Sequence, residues 1–151
     1  MAWPHRPEYK APEKEKIMRS YPHNSPEAAA RIVALLLISD GNVSRQELEA
    51  LYGQDIEREI GLAPGDFAQV LHTLCEDLLM AAHERRLLTG SIDQATLDAL
   101  MAEVTDPGLQ HKVLFFADAA AMADRHVAAE EAWIMRAALT QWRIGKLPAH
   151  S

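Results

Sequence analysis

The residues best suited to chemistry in this chain are carboxylates set at the ends of apolar runs. Asp40 follows RIVALLLIS and opens DGNVSRQE, which ends on Glu47. Asp124 follows FFADAAAMA and opens DRHVAAEE, which ends on Glu131. Set 84 positions apart, the two phrases share Asp, then Val three residues on, then Glu at the eighth place. An acid at a helix C-terminus faces bare carbonyls and the negative end of the helix dipole, at a cost of a few tenths to about 1 kcal/mol. A hard cation such as calcium would offset that cost, since it takes about six to eight oxygens from carboxylates and carbonyls together. Asn42 and Ser44 could add oxygens, and Glu47 returns from the next helix. The same atoms also have a local use: Asp40 can close an Asx turn, and Glu47 completes a capping box with Ser44 in SRQE. The phrase is not an EF-hand, because it lacks the D-x-[DN]-x-[DN]-G loop and its twelfth-position Glu.

The second copy bears on this choice. Ala128 stands where Ser44 stands in the first copy and offers no side-chain cap, so a capping box does not account for Glu131. Asp118 lies within an alanine-rich helix and either joins the acidic face or occupies the helix's exposed edge. If the copies face each other across a pseudo-twofold, Asp40, Glu47, Asp124 and Glu131 converge.

The elements that must position these acids are helices. Ser25 is an N-cap, Pro26 suits the first helical position and Glu27 complements the dipole. From Ile32 to Ile38 this helix is apolar all round and therefore expected at the centre; Gly41 ends it. A second helix is expected from Ser44 to about Ile60. After Gly61 and APGD, a long one runs from about Pro64 to Leu88, with Phe67, Val70, Leu71, Leu74, Leu78 and Ala81 as its apolar row. Asp93 caps a short helix to about Val104, and Asp106 with Pro107 opens another to about Asp124. The last covers about Ala128 to Arg143. No segment alternates as a strand would. The expected fold is an all-α bundle of six to seven helices whose outer pairs, about 26–60 and 107–143, are two pseudo-symmetric helix-turn-helix halves. The expected domain spans residues 25–144, with a proline-rich arm over 1–24 and a short tail over 145–151.

Charge divides the chain unevenly. Residues 1–24 hold five of the 15 Lys/Arg and three of the 22 Asp/Glu, net +2, which leaves 10 and 19, net −9, for the rest. So acidic a body disfavours nucleic acid and favours cations or basic partners. At 151 residues there is room for one domain with a core. The longest apolar run, Ile32 to Ile38, is far short of the roughly 20 residues a membrane span needs. No apolar stretch follows the N-terminal charges, so no signal peptide is expected, and a single cysteine suits a reducing cytoplasm.

Other residues carry weaker signals. His72, Glu76 and His83 share a flank of the long helix at steps of four and seven, spaced for a zinc or iron ion or simply for a solvated face. Asp77 falls on the Val70–Leu74–Ala81 row, where an acid must be paired. Cys75 lies beside that row and reads as a buried, inert thiol. Trp133, Met135, Leu139 and Trp142 read as core or as a partner-facing surface of the last helix. Glu-x-x-His, H-E-x-x-H, G-x-S-x-G and phosphate-binding glycine loops do not occur, so no enzymatic role is expected.

ARIVALLLISDGNVSRQELEAL and AMADRHVAAEEAWIMRAAL together resemble the two halves of the TerB-like domain of the tellurite-resistance family, over about residues 25–143. The resemblance implies an all-helical, internally symmetric fold with an acidic face for divalent cations, chiefly calcium. By position, Asp40, Gly41 and Glu47 match the first motif, and Asp124 and Glu131 the second. Arg125 departs from it by standing where the family has glycine, which sets a cation beside the second site and strains a left-handed turn there. The implied role is that of a non-enzymatic stress-response accessory, cytoplasmic or peripheral to the inner membrane, working with protein partners. The alternative is an interaction module whose acidic turns are purely structural.

Overall fold

The computed structural model describes residues 19–38, 45–85, 94–124 and 129–143, with the side chains of residues 81–85, 124 and 129–131 outside that description. Among the described residues there are seven helices and no strand, as expected: α1 Pro26–Ile38, α2 Arg45–Gly53, α3 Ile56–Ile60, α4 Asp66–Arg85, α5 Gln94–Ala102, α6 Pro107–Asp124 and α7 Ala129–Gln141. Central α1 packs on α3, α4, α5 and α6, while α2 lies mainly on α6 and α5 pairs with α7.

The position of α1 follows from its sequence. Every residue from Ala28 to Leu37 is buried, so the helix has no solvent face to define a surface orientation. Small residues near its start let neighbouring helices approach, and the Ile32–Leu37 run fills the centre with Phe67, Leu74, Leu97, Met101, Leu114 and Phe116. Its start is capped as expected, with the Ala28 amide donating to Ser25 Oγ at 3.1 Å. The start of α6 repeats the device, with the Leu109 amide donating to Asp106 Oδ2 at 2.9 Å.

Asn24 ties these two helix starts together. Its backbone is left-handed, φ 63°, a conformation Asn tolerates better than most side chains. Its amide donates to the Glu103 carbonyl at 2.7 Å, and its Oδ1 accepts from the amides of Thr105 and Asp106 at 2.7 and 2.8 Å. The proposed arm boundary at residue 24 therefore runs through a docked segment, Arg19–Asn24, whereas residues 1–18 and 145–151 lie outside the described ones.

One expected helix proves to be two. The Ser44–Ile60 segment breaks after Gly53, where Asp55 adopts φ 60°, ψ 47°. The Gln54 amide is shared between the carbonyls of Ala50 and Leu51, and the Asp55 amide donates to the Tyr52 carbonyl at 3.0 Å, a tightening from the α-helical pattern. The break turns Ile56 and Ile60 into the core alongside Leu51. Gly61, at φ 106°, then ends α3, with its amide on the Glu57 carbonyl. The α4 start is also later than Pro64: Gly65 sits at φ 91°, and the Glu57 carboxylate caps the first turn by accepting from the amides of Gly65 and Phe67 at 2.9 and 3.0 Å.

Candidate functional site

Of the five acids singled out above, Glu47 and Asp118 have described side chains, and Glu47 is the more buried. It stands in the first turn of α2 and is only 2 % exposed, on the helix whose main packing partner is α6. Asp118 is half-buried on α6 itself, and neither residue stands free of partners. Asp124 ends α6 and Glu131 lies in the first turn of α7, but both side chains, like the whole of Asp40 and the Ser44 cap, fall outside the described residues. Among the described residues no group of three or more His, Cys, Asp or Glu side chains is arranged to hold a metal. Glu47 and Asp118 by themselves fall short of a calcium ligand set, which takes about six to eight oxygens.

The His72–Glu76 pair lies on the outer face of α4, with Nε2 and Oε2 3.2 Å apart and both side chains largely exposed, a solvated i, i+4 contact. The His83 side chain is outside the described residues. Cys75 is half-buried, and burial pushes its thiol pKa up, away from the reactive thiolate. Trp142 belongs to the core, 9 % exposed, with Nε1 donating to the Met101 carbonyl at 3.0 Å. Trp133 is half-buried and lines an open groove of about 600 Å³ between α5 and α7, with Asp98 and Arg136 at its polar edge. An exposed aromatic patch built on both tryptophans is therefore not what α7 presents.

Among the described residues the most elaborate polar cluster lies elsewhere, around Arg31. This residue sits in the middle of α1 and is 1 % exposed. Its Nη2 donates to Glu103 Oε1, its Nη1 to the Arg19 carbonyl, and its guanidinium carbon lies 4.5 Å from the centre of the Tyr21 ring. The third nitrogen, Nε, has no partner among the described residues. Glu103 also accepts from the Tyr21 amide through Oε2 at 3.2 Å. One step further out, Asp77 on α4 receives Arg19 through two bonds of 3.0 Å, from Nε to Oδ2 and from Nη2 to Oδ1, the fork geometry that favours arginine. This pairing raises the Arg19 pKa, with the hydrogen bond to Asp77 as the main cause. Burial raises the Tyr21 pKa, and the positive charges of Arg31 and Arg19 partly counter it.

Register alone indicates one member of this cluster: the place of Asp77 on an apolar row demands a partner. Arg31 was open to the same argument, because a charge inside a helix apolar all round must be paired. Glu103 and the Arg19–Tyr21 segment carry no such sequence signal.

Set against known proteins, the chain matches no family model, no curated protein and no solved structure at a significant level.

Proposed function

We propose that this chain is a non-catalytic accessory domain of the TerB-like kind, in which a divalent cation such as calcium at the acidic turns favours one packing of α2 against α6. The observation that carries this reading is the burial of Glu47 in the first turn of α2, because a cation acts most strongly on a carboxylate from which water is excluded. The duplicated Asp…Glu phrase on a body of net charge −9 supports it from the sequence side. Cation binding would act by mass action: a ligand held only by the folded chain at 100 times its Kd stabilises that chain by about 2.7 kcal/mol. Such a domain would serve as a sensor or assembly cue in a stress-response complex, cytoplasmic or beside the inner membrane. None of its described helices is long and apolar enough to cross a membrane.

The test is a calorimetric calcium titration of the chelator-treated full chain, repeated with manganese and with Asp40→Asn and Glu47→Gln. Saturable binding with a raised Tm, lost in Asp40→Asn, is the expected result. Absence of both heat and Tm change at millimolar calcium would return the acids to turn chemistry and leave the domain an interaction module.

A further inference from the structure

Residues Arg19–Asn24 lie on the body as a bound peptide lies in a receptor. Their partners are Arg31 on α1, Asp77 on α4, and Glu103, Thr105 and Asp106 between α5 and α6. Four contacts read main-chain groups whatever the side chains are: the Asp77 carboxylate on the amide of residue 19, Arg31 on the carbonyl of residue 19, the Glu103 carboxylate on the amide of residue 21, and the Glu103 carbonyl on the amide of residue 24. Three residues are read through their side chains: Arg19 by the Asp77 fork, Tyr21 by the Arg31 guanidinium against its ring, and Asn24 by the Thr105 hydroxyl and the amides of Thr105 and Asp106. Peptide-recognition sites divide their work the same way, with main-chain bonds giving affinity and side-chain contacts giving specificity.

The walls and the occupant differ in how firmly they are held. Asp77 on α4 is 5 % exposed and Glu103, in the turn that follows α5, 9 %, whereas the Arg19 side chain is 51 % exposed and Pro22, His23 and Asn24 lie at the surface. The segment rests on polar contacts and one half-buried ring, so it belongs to the part of the molecule that opens before the bundle does. Once it lifts, two carboxylates flank one guanidinium, a site of net charge −1 that attracts a cationic segment.

We propose that this groove recognises an extended segment of a partner protein carrying an arginine two residues ahead of an aromatic residue, with Arg19–Tyr21 its tethered competitor in cis. The arginine is specified by the planar fork at Asp77, which lysine cannot match. The aromatic residue is specified by the Arg31 face.

The probe is a labelled peptide of residues 17–24, followed by fluorescence anisotropy on the full chain carrying Arg19→Ala and Tyr21→Ala, which takes the two specifying side chains out of the groove and weakens the resident segment as a competitor. Saturable binding at least tenfold tighter than to the unaltered chain is expected. Adding Asp77→Asn, or placing alanine at the peptide's arginine, should weaken it at least tenfold. No binding to the double variant, shown folded by circular dichroism, overturns the proposal. Hydrogen exchange on the unaltered chain gives an independent reading should that variant not fold. The amides of Tyr21 and Asn24 should exchange at least tenfold faster than those of central α1, and equal rates would mean the segment never lifts alone. Dimerisation of the unaltered chain on concentration, abolished by Asp77→Asn, would overturn the partner assignment and give the groove to a second copy.

Discussion

The two halves of the chain open alike and are then used differently. α1 and α6 each start with a side-chain cap followed by proline, Ser25–Pro26 and Asp106–Pro107, and each carries a cation five residues after that proline, Arg31 and Lys112. Arg31 is sealed between Glu103 and the Arg19 carbonyl, whereas Lys112 is exposed and donates its Nζ to the Glu59 carbonyl at 2.8 Å. α1 is buried on all sides; α6 keeps a solvent face with His111, Lys112 and Met122 on it. The duplication thus extends to caps and helix entry, while burial is set by which helix the others pack around. That difference predicts very unequal responses to similar substitutions.

The largest effect is expected at Glu103. Glu103→Ala leaves the Arg31 guanidinium buried without its counter-charge, a loss of about 3–5 kcal/mol. At about 2–4 °C per kcal/mol in a chain of this size, Tm should fall by roughly 10 °C. Pairing Arg31→Met with Glu103→Leu removes both charges and should cost much less than Glu103→Ala, because apolar residues of similar volume replace a buried ion pair at little net cost. Urea denaturation of the three proteins measures this. A loss for Glu103→Ala within about 0.5 kcal/mol of the unaltered chain would mean that water reaches Arg31 and that the contrast with Lys112 is false.

A middle-sized effect belongs to the knot between the two helix starts. Asn24→Ala removes three side-chain bonds, to Thr105 Oγ1 and to the amides of Thr105 and Asp106, and places a less tolerant residue at φ 63°. About 2 kcal/mol is expected, since each exposed bond contributes on the order of 0.5–1 and the left-handed backbone adds a penalty. Asn24→Gly keeps the backbone conformation available and should cost less, which separates bonding from strain. Ser25→Ala and Asp106→Ala should each cost about 1 kcal/mol, with similar values if the two caps are equivalent.

How much of this could be read from the chain depends on range. Caps, prolines and the apolar row of α4 are local signals, and they place α1, α4, α5, α6 and α7 to within a few residues. The break at Asp55 escapes such reading because Leu51, Ile56 and Ile60 look like one continued helical face, although Gly53 and Asp55 both favour a stop. The partner of Arg31 lies 72 positions away, so no local pattern names Glu103. The acidic phrase is legible as a repeat, but the burial of Glu47 is not, because a capping-box Glu is ordinarily at the surface and its cover is set by tertiary packing rather than by local pattern. Trp142 shows the same limit. Helical spacing leaves it open between core and interface, and the Met101 carbonyl at the end of α5 decides for the core.

The smallest effect, and the sharpest check on the comparison, is Lys112→Ala. Its ammonium has solvent as an alternative partner and its contact is with a carbonyl rather than a carboxylate, so the bond is replaced by water when the side chain goes. Truncation should therefore change stability by no more than about 0.5 kcal/mol, as at most surface positions. Arg31→Ala, at the equivalent place in α1, should cost several kcal/mol because it strands Glu103 and opens a cavity in the central helix. Both substitutions delete a cation at the same distance from a helix-opening proline, so equal losses in matched urea curves would mean that α6 is as enclosed as α1. Two equally buried helices would make the halves equivalent in packing as well as in their caps.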